Sequence, residues 1–306
     1  VNSPAAKTPG PLLAWLLATR PKTLPAAVVP VLVGVGCSLH AGQIRWLPSL
    51  AALVGALLLQ IGSNFANDVY DYEKGADTDA RVGPTRAVAA GWISPASMKR
   101  GMWVIFAAAL LVGGYLTWAA GPVIIAIGLT SIVAAIAYTA GPYPLGYNGL
   151  GELFVMIFFG FVAVCGTHYV NLGTVSALAL ACSIPVGALA SAILVVNNVR
   201  DESTDRQSGK RTLVVRFGRR VGIGEYAVLL SLAYAIPMVL VIAQWTSPVV
   251  LLPWLSAPLA LALARRVATQ TGPVLNASLA RTAQLLLVFG VLLSAGLVWS
   301  SSRVAL

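Results

Sequence analysis

Nine apolar runs, each about 20 residues long, constrain this chain more than any other feature. Each is long enough to cross a bilayer as a helix. They lie at 24–41, 46–66, 101–119, 121–140, 149–171, 174–196, 221–244, 246–264 and 282–302. Only 10% of the residues are charged, against roughly 25% in a soluble domain. That is too little polar material to cover a soluble globule, and the 58% hydrophobic content excludes disorder. The predicted fold is an all-α integral membrane protein with nine transmembrane helices, one polytopic domain over 1–306. A short apolar segment at 11–19 either lies along the interface or extends the first span.

Charge sets the orientation. With residues 1–23 placed in the cytoplasm and the spans alternating, 18 of the 20 Lys and Arg fall in cytoplasmic segments; Arg45 and Arg303 are the exceptions. This bias follows the positive-inside rule and puts the C-terminus outside. It also accounts for the net charge of +10, and no basic module for nucleic acid is present. Arg219, Arg220, Arg265 and Arg266 are read as topology residues. The acids need another explanation. Asp68, Asp71, Glu73, Asp77 and Asp79 lie in loop 67–100, and Asp201, Glu202 and Asp205 in loop 197–220, which is eight of ten. Topology does not require them there.

The two acidic loops repeat one pattern. The first reads Asn64-x2-Asn67-x3-Asp71-x3-Gly75-x2-Thr78, the second Asn198-x2-Asp201-x3-Asp205-x3-Gly209-x2-Thr212. If the preceding helices continue past the membrane, Asn67 and Asp71 share a face, as do Asn197, Asp201 and Asp205, and Asp68 lies one turn from Asp71. Such oxygen donors suit a hard cation, Mg²⁺ above all, held with substrate phosphates. Asn67, Asp68, Asp71, Asp77, Asn197, Asp201 and Asp205 are the candidate metal ligands. His40 and His168 lie far from both motifs, so zinc chemistry is not expected. Arg20, Lys22, Lys74, Arg81, Arg86, Lys210 and Arg211 are candidates to bind a diphosphate and stabilise its developing charge. Cys37, Cys165 and Cys182 form no disulfide or metal pattern.

These motifs resemble the UbiA superfamily of intramembrane aromatic prenyltransferases, in particular its menaquinone branch. The similarity extends to Arg20-Pro21-Lys22-Thr23-Leu24-Pro25, to Tyr138-Thr139-x-Gly141-Pro142-x-Pro144-Leu145-Gly146-Tyr147, and to Leu150-Gly151-Glu152-Leu153. The resemblance implies nine helices around a central cavity with cytoplasmic cap loops, in a bacterial cell membrane. It implies Mg²⁺ as cofactor, with polyprenyl diphosphate and 1,4-dihydroxy-2-naphthoate as substrates. Asp71, Asp201 and Asp205 then assist ionisation, and the ring loses CO₂ as it gains the prenyl chain. Two departures stand out. Many members carry an Asp where Gly75 stands, with Asp77 two residues later here, and residues 141–148 lack a Lys found in some relatives.

Tyr138 reads equally as a residue that stabilises an allylic cation through its ring face and as an interfacial tyrosine, whereas Tyr143 and Tyr147 read as interfacial tyrosines. Glu152 is a further candidate, as an ionisable residue at a span edge. Two alternatives are carried forward. One is a sister enzyme using 4-hydroxybenzoate or another acceptor. The other is a transporter with an acidic cytoplasmic gate, which predicts a site near the midplane rather than at one edge.

Overall fold

A computed structural model describes residues 9–77 and 82–301; Lys7, Thr78, Asp79, Arg81 and Arg303 lie outside the described residues. Among the described residues the chain is helical without strands. Helix α1 (Pro11–Ala18) precedes α2 (Pro25–His40), and a bend of 52° separates them, so the segment at 11–19 is its own helix. Next come α3 (Trp46–Glu73), α4 (Pro95–Ala120) and α5 (Val123–Ala137). They are followed by α6 (Gly151–Leu172), α7 (Ala177–Gln207), the short α8 (Leu213–Phe217) and α9 (Arg219–Ile242). The last two are α10 (Pro248–Thr269) and α11 (Leu275–Ser301).

Every predicted span falls on one of these helices. Seven described helices are long and apolar enough to cross a membrane alone, and the bent α1–α2 pair makes an eighth. The ninth predicted span falls on α5, whose 15 residues are fewer than the ~20 of an untilted crossing. The chain is thus a multi-pass membrane protein. Several helices outrun their apolar runs: α3 continues to Glu73, α7 to Gln207, and α11 begins at Leu275. Helical hydrogen bonds are local, so a helix need not stop where apolar residues do.

Two cores support the bundle. In the C-terminal half, α7 is the most enclosed helix, packed by α2, α6, α9 and α11 around Val186, Leu189, Val195 and Phe289. In the N-terminal half, Phe65, Val69, Met98, Met102 and Phe106 join α3 to α4, and Trp15 of α1 stacks at a tilt on Phe65, 5.4 Å between ring centres. Leu116, Ile124 and Val170 form a third cluster at the end of the bundle away from the acids. There Arg45 caps two helix ends, its Nη1 donating to the carbonyls of Ala119 (2.8 Å) and Val170 (3.3 Å). One of the two exceptional basic residues thereby has a structural role, because it satisfies carbonyls that a helix C-terminus leaves open.

Apolar side chains gain little by leaving lipid for another helix, so close contact in a membrane depends on small residues. At the α6–α7 crossing a Cβ on Gly160 would lie 2.8 Å from the Ser183 carbonyl oxygen and 3.0 Å from Gly187 Cα. Both obstacles are backbone and cannot rotate away. Beside this contact α6 widens to a π-helical turn over Met156–Val162, a local geometry common near functional sites. Gly160→Val should therefore cost about 1–3 kcal/mol of overpacking and lower the melting temperature in detergent by roughly 3–8 °C. Gly113→Ala is the control, because its added Cβ meets nothing within 4 Å. Differential scanning fluorimetry on both variants tests the contact; equal shifts would contradict it.

Candidate active site

The two acidic repeats coincide down to their hydrogen bonds. α3 and α7 each end on a left-handed glycine, Gly75 (φ 67°) and Gly209 (φ 75°). Each end closes with the same six-to-one bond: Ala76 N–H to the Asp71 carbonyl, and Lys210 N–H to the Asp205 carbonyl, both 2.9 Å. A residue with a Cβ is disfavoured at that φ, which explains why both copies carry glycine at this spacing. Thr212, the last motif position, caps α8 by accepting the Val215 N–H at 3.3 Å; its counterpart Thr78 lies outside the described residues.

The helix extensions bring both motifs to one end of a cavity of about 1030 Å³. Asn67, Asp68, Asp71 and Arg86 line it from the first half, and Asn197, Asp205 and Lys210 from the second. Arg20, Lys22, Tyr138 and Tyr147 line it as well. Beyond this polar end the wall is largely apolar and reaches Leu116, Ile124 and Val170 at the far side. Phe154 and Phe158 contribute a stacked pair, 6.1 Å between ring centres. Asp77, Asp201, Lys74, Arg211 and Glu152 do not line the cavity.

Each motif holds a buried guanidinium. Arg86 places Nη2 2.5 Å from Asp71 Oδ2 and Nε 3.2 Å from Asp77 Oδ1, and Nη1 donates to the Asn67 carbonyl. Burial works against the Arg86 charge, but Asp71, Asp77 and Asp68 outweigh it and hold the group protonated above its ordinary range. Arg200 forks Asp201: Nε donates to Oδ1 (2.7 Å) and Nη2 to Oδ2 (2.6 Å). Its Nη2 also donates to Asn197 Oδ1 at 2.6 Å. Asp68 is only 1% exposed, and its two oxygens accept the backbone N–H groups of Ala87 (3.1 Å) and Val88 (3.0 Å). This bracing holds the loop that delivers Arg86.

Tyr147 joins the halves. Its hydroxyl donates to Asp71 Oδ1 at 2.6 Å, and its carbonyl accepts the Arg211 N–H, also at 2.6 Å. Lys74 and Lys210 approach its ring, 5.1 and 5.0 Å from the centre, within cation–π range. Lys210 also pairs with Asp205 at 3.2 Å. Burial, with the Asp71 charge beside it, raises the Tyr147 pKa well above the ordinary tyrosine range, so the phenol stays a donor. The interfacial reading of Tyr147 is thus corrected: it contacts both motifs, a role its sequence position does not signal. Tyr143 is 59% exposed and does not line the cavity, in keeping with an interfacial tyrosine. Glu152 accepts the Asn198 amide at 2.5 Å behind the wall, while Tyr138 packs against Gly146 and Gly151.

Arg200 is not among the candidate site residues read from the sequence; its place beside Asp201 was the available signal. Arg219, read as topology, donates to the carbonyls of Val267, Ala268 and Gln270 at 2.6–3.1 Å and so ties α9 to the end of α10.

Fold and site together define a multi-pass membrane enzyme whose polar, oxygen-rich mouth opens on an apolar cavity. The profile of the UbiA prenyltransferase family matches residues 27–289. Over 258 residues the chain is 39% identical to the 1,4-dihydroxy-2-naphthoate octaprenyltransferase of Mycobacterium tuberculosis, covering 84% of this chain and 87% of that one. It is 37% identical over 297 residues to the Escherichia coli protein of the same name, covering 92% and 96%. The chain therefore belongs to the UbiA prenyltransferase family. Solved structures share the fold. A UbiA homolog from Aeropyrum pernix K1 superposes with TM-score 0.68 at 14% identity over 90% of this chain and 97% of that one. One from Archaeoglobus fulgidus bound to DMAPP and Mg²⁺ gives 0.64 at 15% over 92% and 99%.

Tyr147→Phe keeps the ring between the two ammonium groups and removes one hydrogen bond to a carboxylate, worth roughly 1.5 kcal/mol. Turnover should fall about tenfold, and further in Tyr147→Ala. Steady-state kinetics of the two variants check the order; a Phe variant with full activity would contradict the bridging role.

Proposed function

We propose that this protein transfers a polyprenyl chain from polyprenyl diphosphate to 1,4-dihydroxy-2-naphthoate with loss of CO₂, giving demethylmenaquinol. The observation that carries the reading is the meeting of two acidic repeats, with their arginines and lysines, at the polar mouth of one apolar cavity. That division suits a donor with a charged head and a long apolar tail. The names of the relatives support the acceptor. A transporter gate is disfavoured because the polar clusters sit at one end rather than midway.

The donor set fits Mg²⁺. It is made of carboxylate and amide oxygens, the donors a hard cation prefers. Mg²⁺ commonly takes one or two carboxylates and leaves its other positions to water and phosphate oxygens. Asp71 and Asp205, with Asn67 and Asn197, would hold it; Asp201 and Asp77 support that set through Arg200 and Arg86, and Asp68 by bracing the loop. When bound, the metal supplies Lewis-acid neutralisation of the leaving diphosphate. Arg20, Lys22, Arg86 and Lys210 line the mouth where that charge develops and stabilise it. Lys74 and Arg211 act from outside the wall, Lys74 through the Tyr147 ring; Arg81 belongs to the same proposed set. The apolar wall excludes water from the allylic cation, and Tyr138, Phe154 and Phe158, which line it, would stabilise that cation through their rings.

The chain is taken as a single domain of nine crossings in a bacterial cell membrane, with its N-terminus and acidic loops cytoplasmic, because the basic residues gather at that end.

Detergent-purified protein incubated with 1,4-dihydroxy-2-naphthoate, a polyprenyl diphosphate and Mg²⁺ should yield the decarboxylated, prenylated quinone by mass spectrometry. EDTA, Asp71→Asn or Asp201→Asn should each remove the product while the protein still folds. Prenylation of 4-hydroxybenzoate instead would move the protein to a sister reaction. Full activity in both variants would sink the site assignment.

A further inference from the structure

One polar side chain outside the proposed diphosphate and metal set touches two parts of the site at once. Asn276 stands in the first turn of α11 and lines the cavity. Its Oδ1 accepts Arg200 Nη1 at 2.8 Å, and its Nδ2 donates to the Val82 carbonyl at 3.1 Å. Val82 belongs to the loop that carries Arg86 onto Asp71 and sets Ala87 and Val88 on Asp68. Arg200 grips Asp201 and Asn197. A single half-buried amide therefore joins the last helix, the second acidic motif and the first acidic loop.

The chemistry of the two neighbours fixes this amide. A guanidinium can only donate and a backbone carbonyl can only accept. The residue between them must offer one acceptor and one donor on a short, rigid stem. Asparagine does so. Aspartate of the same shape would satisfy Arg200 but present a second acceptor to the Val82 carbonyl, and leucine would satisfy neither.

We propose that Asn276 is a positioning residue of the active site, a clasp that holds the Arg86 loop and Arg200 in register across the cavity mouth. This rests on the reading of that mouth as a diphosphate site. Asn276 acts through the two arginines, so its removal should weaken capture of the diphosphate more than the chemistry that follows.

The test uses the full-length protein in detergent and the variants Asn276→Leu and Asn276→Asp. Hydrogen exchange, which needs no substrate, should speed at least fivefold over residues 82–91 in both, with α9 and α10 unchanged and the melting temperature held. In Asn276→Leu the KM for polyprenyl diphosphate should rise about tenfold with kcat within threefold of the parent. Asn276→Asp, which keeps the partner of Arg200, should show the smaller rise. Unchanged exchange over 82–91, an unchanged KM, or acceleration spread over the whole chain with a lower melting temperature would each overturn the proposal. If the parent protein prenylates no acceptor, the functional reading fails, and the exchange measurement still decides whether the clasp exists.

Discussion

The structure depends on neutralising carboxylates at the edge of an apolar bundle. A buried charge without a partner costs several kcal/mol, and here the key acids are almost closed off, with Asp71 2% and Asp201 7% exposed. Each half of the molecule answers with its own buried arginine, Arg86 on Asp71 and Asp77, and Arg200 on Asp201. This pairing lets α3 and α7 carry acidic turns to the rim of the cavity. It also delivers cationic groups to the place where a diphosphate head would lie.

From that rim the rest of the architecture follows as a division of polarity. The mouth is built from repeated helix ends with identical glycine closures, and Tyr147 spans the two. Below it, close glycine contacts such as Gly160 against Gly187 let helices pack tightly without polar groups. The far end carries an apolar cluster and Arg45 bound to two helix carbonyls. A charged head and an apolar chain would thus meet separate regions of one cavity.

Much of this was legible in the sequence. The apolar runs located the helices because bilayer thickness sets their length. The repeat from Asn64 and Asn198 was visible because its helical spacing is strict. Other features left no periodic mark. Arg200 was hidden among charges that topology already explained. Tyr147 sat where interfacial tyrosines are common. Asn276 is one amide at a helix start, and only tertiary contact with Arg200 and Val82 distinguishes it from any other. The bracing of Ala87 and Val88 by Asp68 was equally invisible, since sequence does not show which way a loop folds back.

The central claim is that two acidic motifs from separate halves act on one diphosphate. Cryo-electron microscopy of the protein with Mg²⁺ and a non-ionising prenyl thiodiphosphate tests it most directly. The account predicts the diphosphate and metal between the ends of α3 and α7, within reach of both Asp71 and Asp205, with the prenyl chain in the apolar cavity. A ligand held by one motif alone, or bound outside the cavity mouth, would contradict it.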